Sequence, residues 1–174
     1  DAALREIKSL RNDLIDLSHK IHSTPEIGFE EYQASQWISD MLTKAGFTVQ
    51  TGICSLPTAF SARFGNGPLH IAICAEYDSL PGIGHACGHN IIAAAAVGAG
   101  IAAAKVADDV GLTVSVIGTP AEEVGNNGGK IILLEGGAFN ECHAAMMVHP
   151  TPFEMASPRI IAASMFEAHY TGKE

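Results

Sequence analysis

Residues Leu69–Asn90 read LHIAICAEYDSLPGIGHACGHN, and they join two different kinds of sequence. The first seven residues are apolar at nearly every position, which is typical of a strand buried on both faces of a sheet. The sixteen residues from Ala75 to Asn90 contain two acids, one cysteine, two histidines and three glycines. A turn does not need this chemistry. We therefore interpret the segment as a ligand-holding loop that follows a buried strand.

Two later runs have the same character. LTVSVIG at Leu112–Gly118 and AAMMV at Ala144–Val148 are short, apolar and followed by polar residues. Helical segments are predicted between the three runs, at Asn90–Ala107 and roughly at Gly128–Glu135. The order strand, helix, strand, helix, strand predicts an α/β fold with three layers, in which helices cover both faces of a largely parallel central sheet.

The residues before Leu69 predict two helices and two further strands. Apolar residues at three- and four-residue spacing predict amphipathic helices over Leu4–Ile21 and Phe29–Ala45. Alternating segments at Phe47–Ile53 and Thr58–Phe64 predict strands near a sheet edge.

Composition excludes several classes of function. The 174 residues suit one domain, and the net charge of −9 leaves no basic cluster for nucleic acid or an anionic membrane. The four cysteines form no CxxC pair, so we expect a reducing, cytoplasmic compartment without a disulfide framework. Ile91–Ala107 is mostly Ala and Gly and carries Lys105, which favours a buried helix over a membrane span.

Acids, imidazoles and a thiol follow all three buried runs: Glu76, Asp78, His85, Cys87 and His89 after the first, Glu122 and Glu123 after the second, and His149 after the third. The carboxyl ends of parallel strands meet at one edge of a sheet, so we expect these side chains to converge. Carboxylate, imidazole and thiolate together are the ligands of zinc, manganese or cobalt. The sequence therefore predicts a divalent metal site.

Two local features support that site. Gly88 permits an unusual backbone angle between Cys87 and His89, and the helix beginning at Asn90 would favour a thiolate over a thiol. Neighbouring residues at a strand end point in opposite directions, so one of Glu122 and Glu123 can bind metal while the other moves the proton of a water. The alternative is an ordinary pair in which one glutamate caps the loop and the other is solvated.

Four motifs stand in a fixed order along the chain: IHSTPEIGFEE, AEYDSLPGIGHACGHN, GTPAEEVGNNGGK and MMVHP. Together they resemble the M20 metallopeptidase and aminoacylase family, in particular its amidohydrolase branch and the aminobenzoyl-glutamate hydrolase and dipeptidase-like group. The resemblance implies a zinc-peptidase-like catalytic domain with two divalent ions, zinc or manganese. It also implies a small-molecule substrate, an N-acyl amino acid or a dipeptide, whose amide bond is cleaved by a metal-activated water.

The same resemblance implies roles for particular residues. The metal ligands would be Cys87, His89, Glu123 and His149. Glu122 would be the general acid and base, and Asp78 would orient a ligand from behind. The position of Glu76 holds a metal-binding histidine elsewhere in the wider family, so its role stays open.

The resemblance also implies that residues 1–153 are the N-terminal part of the catalytic domain. Residues 154–174 would begin a strand that leads into a lid and dimerisation domain. The rest of that domain, the homodimer it forms and one further histidine ligand would lie outside this chain. We therefore expect the 174-residue chain alone to be inactive.

Three other functions are open from the residues. A dinucleotide-binding turn around Gly82 and Gly84 is disfavoured, because polar side chains fill the loop. Cys87 could be a nucleophile with His149 as its base. A metal-binding, dimerising pseudoenzyme is the non-catalytic alternative. His22 and Glu26, in the first motif, are adequately explained by contacts at a helix end.

Overall fold

The computed structural model describes residues 2–159, 162 and 164–173. Its helices are α1 Ala2–Ser9, α2 Arg11–Ser23, α3 Tyr32–Lys44, α4 His89–Ala104, α5 Ala107–Val110 and α6 Gly129–Glu135. Its strands are β1 Thr48–Thr51, β2 Phe60–Phe64, β3 Leu69–Ala75, β4 Leu112–Gly118 and β5 Ala144–Met146. Short 3-10 helices cover Ile53–Ser55 and Glu122–Asn127.

The five strands form one sheet in the order β1-β2-β4-β3-β5. Strand β3 lies between β4 and β5 and pairs parallel with both, placing Ile71 beside Val114 and Ala144. Strand β2 pairs antiparallel with β1 and with β4, so the sheet is mixed. The parallel part consists of the three apolar runs, and the antiparallel part holds the two strands predicted near an edge. The predicted α/β class is confirmed.

Helices cover both faces of the sheet. On one face, Ile21 of α2, Ile38 of α3 and Val97 of α4 pack in a core that includes Ile73 and Val116 of the sheet. On the other face, a smaller cluster holds Leu133 of α6 against the neighbouring strand residues Ala72 and Ile117. Consecutive strand residues point to opposite faces, which is why these pairs of neighbours serve different cores. The three-layer arrangement follows.

Helix α4 contains most of the segment Ile91–Ala107, whose apolar composition resembles that of a membrane span. It is surrounded by the sheet and by α2, and Ile92, Val97 and Ile101 along it are buried. The prediction of a buried helix is confirmed. Within the described part of the chain, no helix combines the length and the apolar character that crossing a bilayer requires.

The first helix and the third apolar run differ from the predictions. The first helix is broken at Leu10, between α1 and α2. The prediction that AAMMV is buried on both faces is wrong, because β5 is exposed along its whole length. It is paired on one side only, with β3, and α6 does not cover it.

The strand expected after residue 153 is not formed in the described residues, which contain neither helix nor strand from 154 onward. Backbone groups of a strand need a neighbouring strand to bond, and none of the five strands pairs with this segment. Ile160 and Ile161, part of the predicted strand, lie outside the described residues.

Candidate metal centre

The polar residues that follow β3, β4 and β5 meet at one edge of the sheet, as the parallel pairing requires. Glu76 and Asp78 directly follow β3, Glu122 and Glu123 begin the 3-10 helix after β4, and His149 lies three residues beyond β5. His89 is the first residue of α4, whose start lies at the same edge. The structure therefore brings the predicted site residues together, while their individual roles remain predictions.

His89 is the centre of this cluster, and its ring is completely buried. Its Nδ1 lies 2.8 Å from Oδ1 of Asp78, which is itself buried. A carboxylate oxygen can only accept here, so Nδ1 carries a proton, and Nε2 presents a lone pair whenever the ring is neutral. Burial lowers the pKa of His89, but Asp78, Glu76 and Glu122 outweigh it and raise the pKa, so a bound cation would compete with a second proton at Nε2. Burial raises the pKa of Asp78, but hydrogen bonds from His89 and from the Glu123 backbone outweigh it, and the net pKa is lowered. Asp78 is thus held as a carboxylate that orients the imidazole.

Three carboxylates surround Nε2 of His89. It lies 3.4 Å from Oε2 of Glu76, 3.7 Å from Oε2 of Glu122 and 3.8 Å from Oε1 of Glu123. Among the described residues, neither His89 Nε2 nor Glu76 Oε2 has a hydrogen-bond partner, although both atoms are buried. Leaving such atoms unpaired costs about 1–3 kcal/mol each. A divalent cation between a ring nitrogen lone pair and carboxylate oxygens would satisfy them, so the residues fit a metal.

Cys87 and His149 extend the cluster around His89. The Cys87 Sγ lies 3.6 Å from Nε2 of His149, and Nδ1 of His149 donates to the Pro150 carbonyl at 2.8 Å. That donation leaves the lone pair of His149 on Nε2, the atom that faces Cys87. Both histidines therefore present Nε2 to the cluster.

The ligand atoms form two groups in which all atoms lie within 4.8 Å of one another: Cys87, His89 and His149 in one, and Glu76, His89 and Glu122 in the other. His89 belongs to both groups. The lone pair of Nε2 can be given to one ion only, so two neighbouring ions would have to divide the remaining ligand atoms of the two groups between them.

Gly88 has the backbone conformation that the sequence suggested. Its φ is +83°, in the left-handed region, and it precedes α4. A Cβ at this position would lie 3.0 Å from Cγ of Pro150. The tight glycine turn therefore lets Cys87 and His89 face the same volume and brings the segment after His149 against them.

The expectation that the start of α4 favours a thiolate is wrong for the metal-free protein. Burial, followed by the carboxylates of Glu123 and Glu122, raises the pKa of Cys87 to about 11. The negative charges around the thiol outweigh the helix terminus. A bound cation would reverse this balance, because a thiol that ligates a metal loses its proton.

Glu122 and Glu123 do not point in opposite directions. They lie in a 3-10 helix and not at a strand end, and both approach His89 Nε2. Their surroundings differ nonetheless. Burial, followed by the charge of Glu76, raises the pKa of Glu122. Glu123 lies close to Cys87 and contributes to the raised pKa of the Cys87 thiol. The division into one ligand and one base remains a prediction.

Sequence reasoning missed Lys130, the second residue of α6. Its Nζ contacts Oε1 of Glu76, in a pair that is partly buried at the lysine and almost fully buried at the glutamate. The pairing explains how Glu76 can be buried as an anion while only its Oε2 faces His89. A single lysine in GGK, eight residues after Glu122, gave no signal because lysines at helix starts are usually solvated.

Glu26 has the structural role suggested for it. Its carboxylate accepts the backbone N–H groups of Gln33 at 3.0 Å and Ala34 at 3.0 Å, which are free donors in the first turn of α3. His22 lies at the end of α2, with its ring centroid 6.2 Å from that of His85. Neither belongs to the two groups of candidate ligands among the described residues.

Comparison with known proteins agrees with this geometry, although no family model matches the chain. The chain is 39% identical over 172 residues to the Xaa-Arg dipeptidase of Mus musculus. It is 35% identical over 166 residues to one of the p-aminobenzoyl-glutamate hydrolase subunits of Escherichia coli. These matches cover 90% and 84% of this chain, but only 39% and 34% of the two relatives.

A solved structure agrees as well. The crystal structure of a dinuclear metal-binding peptidase of the M20 family from Bacillus subtilis matches with a TM-score of 0.73 and 26% identity, covering 83% of this chain and 44% of that one. Fold, converging ligands and sequence similarity lead to the same assignment: over most of its length the chain matches the N-terminal portion of M20-family metallopeptidases.

Proposed function

We propose that the full-length protein containing this chain is a metal-dependent amidohydrolase or peptidase. It would cleave the amide bond of N-acyl amino acids or dipeptide-like substrates. The observation that carries this proposal is the buried, unpaired Nε2 of His89, surrounded by a thiol, a second imidazole and three carboxylates. Hydrolases of the same family among the relatives support the reaction class.

We assign the metal ligands as Cys87, His89, Glu123 and His149. Charge supports two divalent ions in place of one. Five groups here are anionic when metal is bound: Glu76, Asp78, Glu122, Glu123 and the Cys87 thiolate. Lys130 offsets one of these charges, and two divalent cations would offset the other four. Burying uncompensated charge is costly, so near neutrality favours a pair of ions.

Bound divalent ions would polarise the substrate carbonyl and lower the pKa of a water from about 15.7 toward about 7. The chain's own contribution is positional. Glu122 Oε2, 40% exposed at its side chain and facing the cluster, would accept the proton of the attacking water and return it to the leaving amine. Asp78 would hold the proton of His89 on Nδ1, so that Nε2 keeps its lone pair.

The experiment that tests the proposal uses the full-length protein loaded with Zn²⁺ or Mn²⁺. The assay uses aminobenzoyl-glutamate and dipeptides ending in arginine as test substrates, because two of the relatives are named after activity on these compounds. Glu122→Gln should lower kcat by about 10²–10⁴-fold while metal content is retained. Glu30→Gln, an exposed glutamate outside the site, is the control and should behave as wild type. An unaffected rate in Glu122→Gln would remove the proposed base.

One observation favours a second candidate, a cysteine hydrolase, because Cys87 Sγ and His149 Nε2 lie 3.6 Å apart. The surrounding carboxylates oppose a thiolate in the absence of a cation, which disfavours this reading. A chelator distinguishes the two enzymes. It should abolish hydrolysis by the metal enzyme and spare a cysteine enzyme, which alkylation of Cys87 would inactivate whatever its metal content.

A metal-binding pseudoenzyme is the third candidate, and it would retain metal while hydrolysing none of the test substrates.

We further propose that residues 1–153 are part of the catalytic domain, that residues 154–174 lead toward a lid, and that the isolated chain turns over no substrate. Dimerisation and a cytoplasmic location remain predictions from the sequence.

A further inference from the structure

Glu31, the residue before α3, is a completely buried carboxylate that lies outside the two groups of candidate ligands. Its Oε1 accepts the backbone N–H of Ala121 at 2.7 Å, and its Oε2 accepts the Thr58 hydroxyl at 2.9 Å. Within the described residues, no lysine, arginine or histidine forms an ion pair with it. Burying a carboxylate without a cationic partner costs folding free energy. A glutamate at such a position is therefore expected to have a role that depends on its two hydrogen bonds.

The first bond fixes an unfavourable turn. Ala121 has φ +58° and ψ +48°, a left-handed conformation that costs a residue with a Cβ about 1–2 kcal/mol. Ala121 is buried and immediately precedes Glu122 and Glu123. Its carbonyl accepts the N–H of Gly129 at 3.3 Å, so Glu31 and Gly129 hold the turn from both sides. The direction in which the two glutamates leave β4 depends on this peptide.

The second bond reaches the end of β3. Thr58, which donates to Glu31, also accepts the Tyr77 hydroxyl through its backbone carbonyl at 2.6 Å. Tyr77 is fully buried, stacks on Phe60 and lies between Glu76 and Asp78 in the sequence. One carboxylate is therefore linked to both strand ends that supply acids to the metal centre.

We propose that Glu31 is a positioning residue for the metal centre, which fixes Ala121 and Thr58 so that Glu122 and Glu123 stand at bonding range of the cation beside His89. The proposal rests on the proposed function only in requiring that the centre binds metal. Glu31 contacts neither the metal nor the substrate. Its loss should therefore weaken metal binding by more than the accompanying loss of stability explains.

Glu26 provides a matched control. Its carboxylate lies in the same connecting segment and also accepts backbone N–H groups, but those of Gln33 and Ala34 in α3. The experiment compares Glu31→Leu with Glu26→Leu in the same chain. Zn²⁺ affinity is measured by calorimetry, and the free energy of unfolding of the metal-free protein by urea titration.

We expect both leucine variants to lose stability, and only Glu31→Leu to lose Zn²⁺ affinity, by about 10–100-fold. Glu31→Gln should restore affinity, because its Oε1 can accept from Ala121 while its Nε2 donates to Thr58. If Glu31→Leu does not fold, Glu31→Asp, which keeps the charge but loses reach, should show the same selective loss of affinity.

Two results would overturn the role of Glu31. One is wild-type Zn²⁺ affinity in the Glu31 variants, and the other is an equal loss in Glu31→Leu and Glu26→Leu, which a purely structural role predicts. Failure of the unmodified chain to bind Zn²⁺ is a different outcome, since it would remove the metal centre itself and with it the proposed function.

Discussion

Replacing Asp78 with asparagine tests whether Asp78 determines which ring nitrogen of His89 carries the proton. The Asp78 carboxylate accepts two hydrogen bonds, from Nδ1 of His89 at 2.8 Å and from the backbone N–H of Glu123 at 3.0 Å. Each donor needs an acceptor oxygen, and asparagine has only one. If the oxygen stays with Glu123, the side-chain amide faces Nδ1 of His89 and donates to it, which moves the imidazole proton to Nε2.

The expected loss of metal affinity follows from the position of that proton. An Nε2–H offers no lone pair to a metal, and loss of an outer hydrogen-bond partner of a ligating histidine typically costs 10–100-fold in metal affinity. This range equals about 1.4–2.8 kcal/mol at about 1.4 kcal/mol per factor of ten. If the asparagine oxygen turns to His89 instead, the Glu123 N–H is left unpaired, at a cost of about 1–3 kcal/mol in stability.

Two measurements follow the change. Long-range ¹H–¹⁵N spectra report which ring nitrogen of His89 is protonated, and calorimetry reports Zn²⁺ affinity. Asp40→Asn is the matched control, because Asp40 is exposed on α3 and accepts from the Gln36 side chain at 2.7 Å, away from the centre. Wild-type Zn²⁺ affinity in Asp78→Asn, with the proton still on Nδ1 and stability unchanged, would show that Asp78 does not set the tautomer of His89.

Three further predictions concern stability. Gly88→Ala should destabilise the fold by about 1–2 kcal/mol in urea titration, because φ is +83° and the new Cβ meets Pro150; an unchanged midpoint would contradict this. Tyr77→Phe leaves the Thr58 carbonyl without its buried donor and should cost about 1–3 kcal/mol by the same assay, whereas a neutral effect would show that the bond is not needed. Burial lowers the pKa of His70 below 6.5, so the unfolded state binds that proton more readily. The stability that neutral His70 contributes is therefore complete above pH 6.5 and is lost as pH falls toward the folded pKa. The free energy of unfolding should fall more between about pH 7.5 and about pH 5.5 in wild type than in His70→Gln, and equal slopes would argue against it.

The central strands could be predicted from the sequence to the residue. Leu69–Ala75 and Leu112–Gly118 are apolar at most positions and bounded by proline, glycine or polar residues, and the structure gives both strands these same limits. Strands buried on both faces leave this pattern, because most of their side chains meet a core on one face or the other. The apolar run at Ala144–Val148 has the same pattern, yet β5 is exposed at the sheet edge. Apolar composition shows that a strand could be covered, but it does not reveal what covers it.

The candidate site was predictable where chemistry is local. Cys87 and His89 share one short loop, and Glu122 and Glu123 are adjacent, so their spacing already indicated a metal. The residues that hold these groups were not predictable in the same way. Glu31 bonds to a backbone group 90 residues away, and Lys130 reaches Glu76 across two strand ends. Such contacts follow from the packed sheet and leave no periodicity in the sequence.

A metal centre at this edge of the sheet requires that a cation bind beside His89. Anomalous diffraction at the zinc absorption edge, from crystals of the zinc-loaded protein, would locate it. We expect peaks bounded by Sγ of Cys87, Nε2 of His89 and Nε2 of His149, with a Glu123 oxygen completing the coordination. An intact fold whose zinc lies elsewhere, or that carries no zinc beside His89, would contradict the assignment of this cluster as a metal centre.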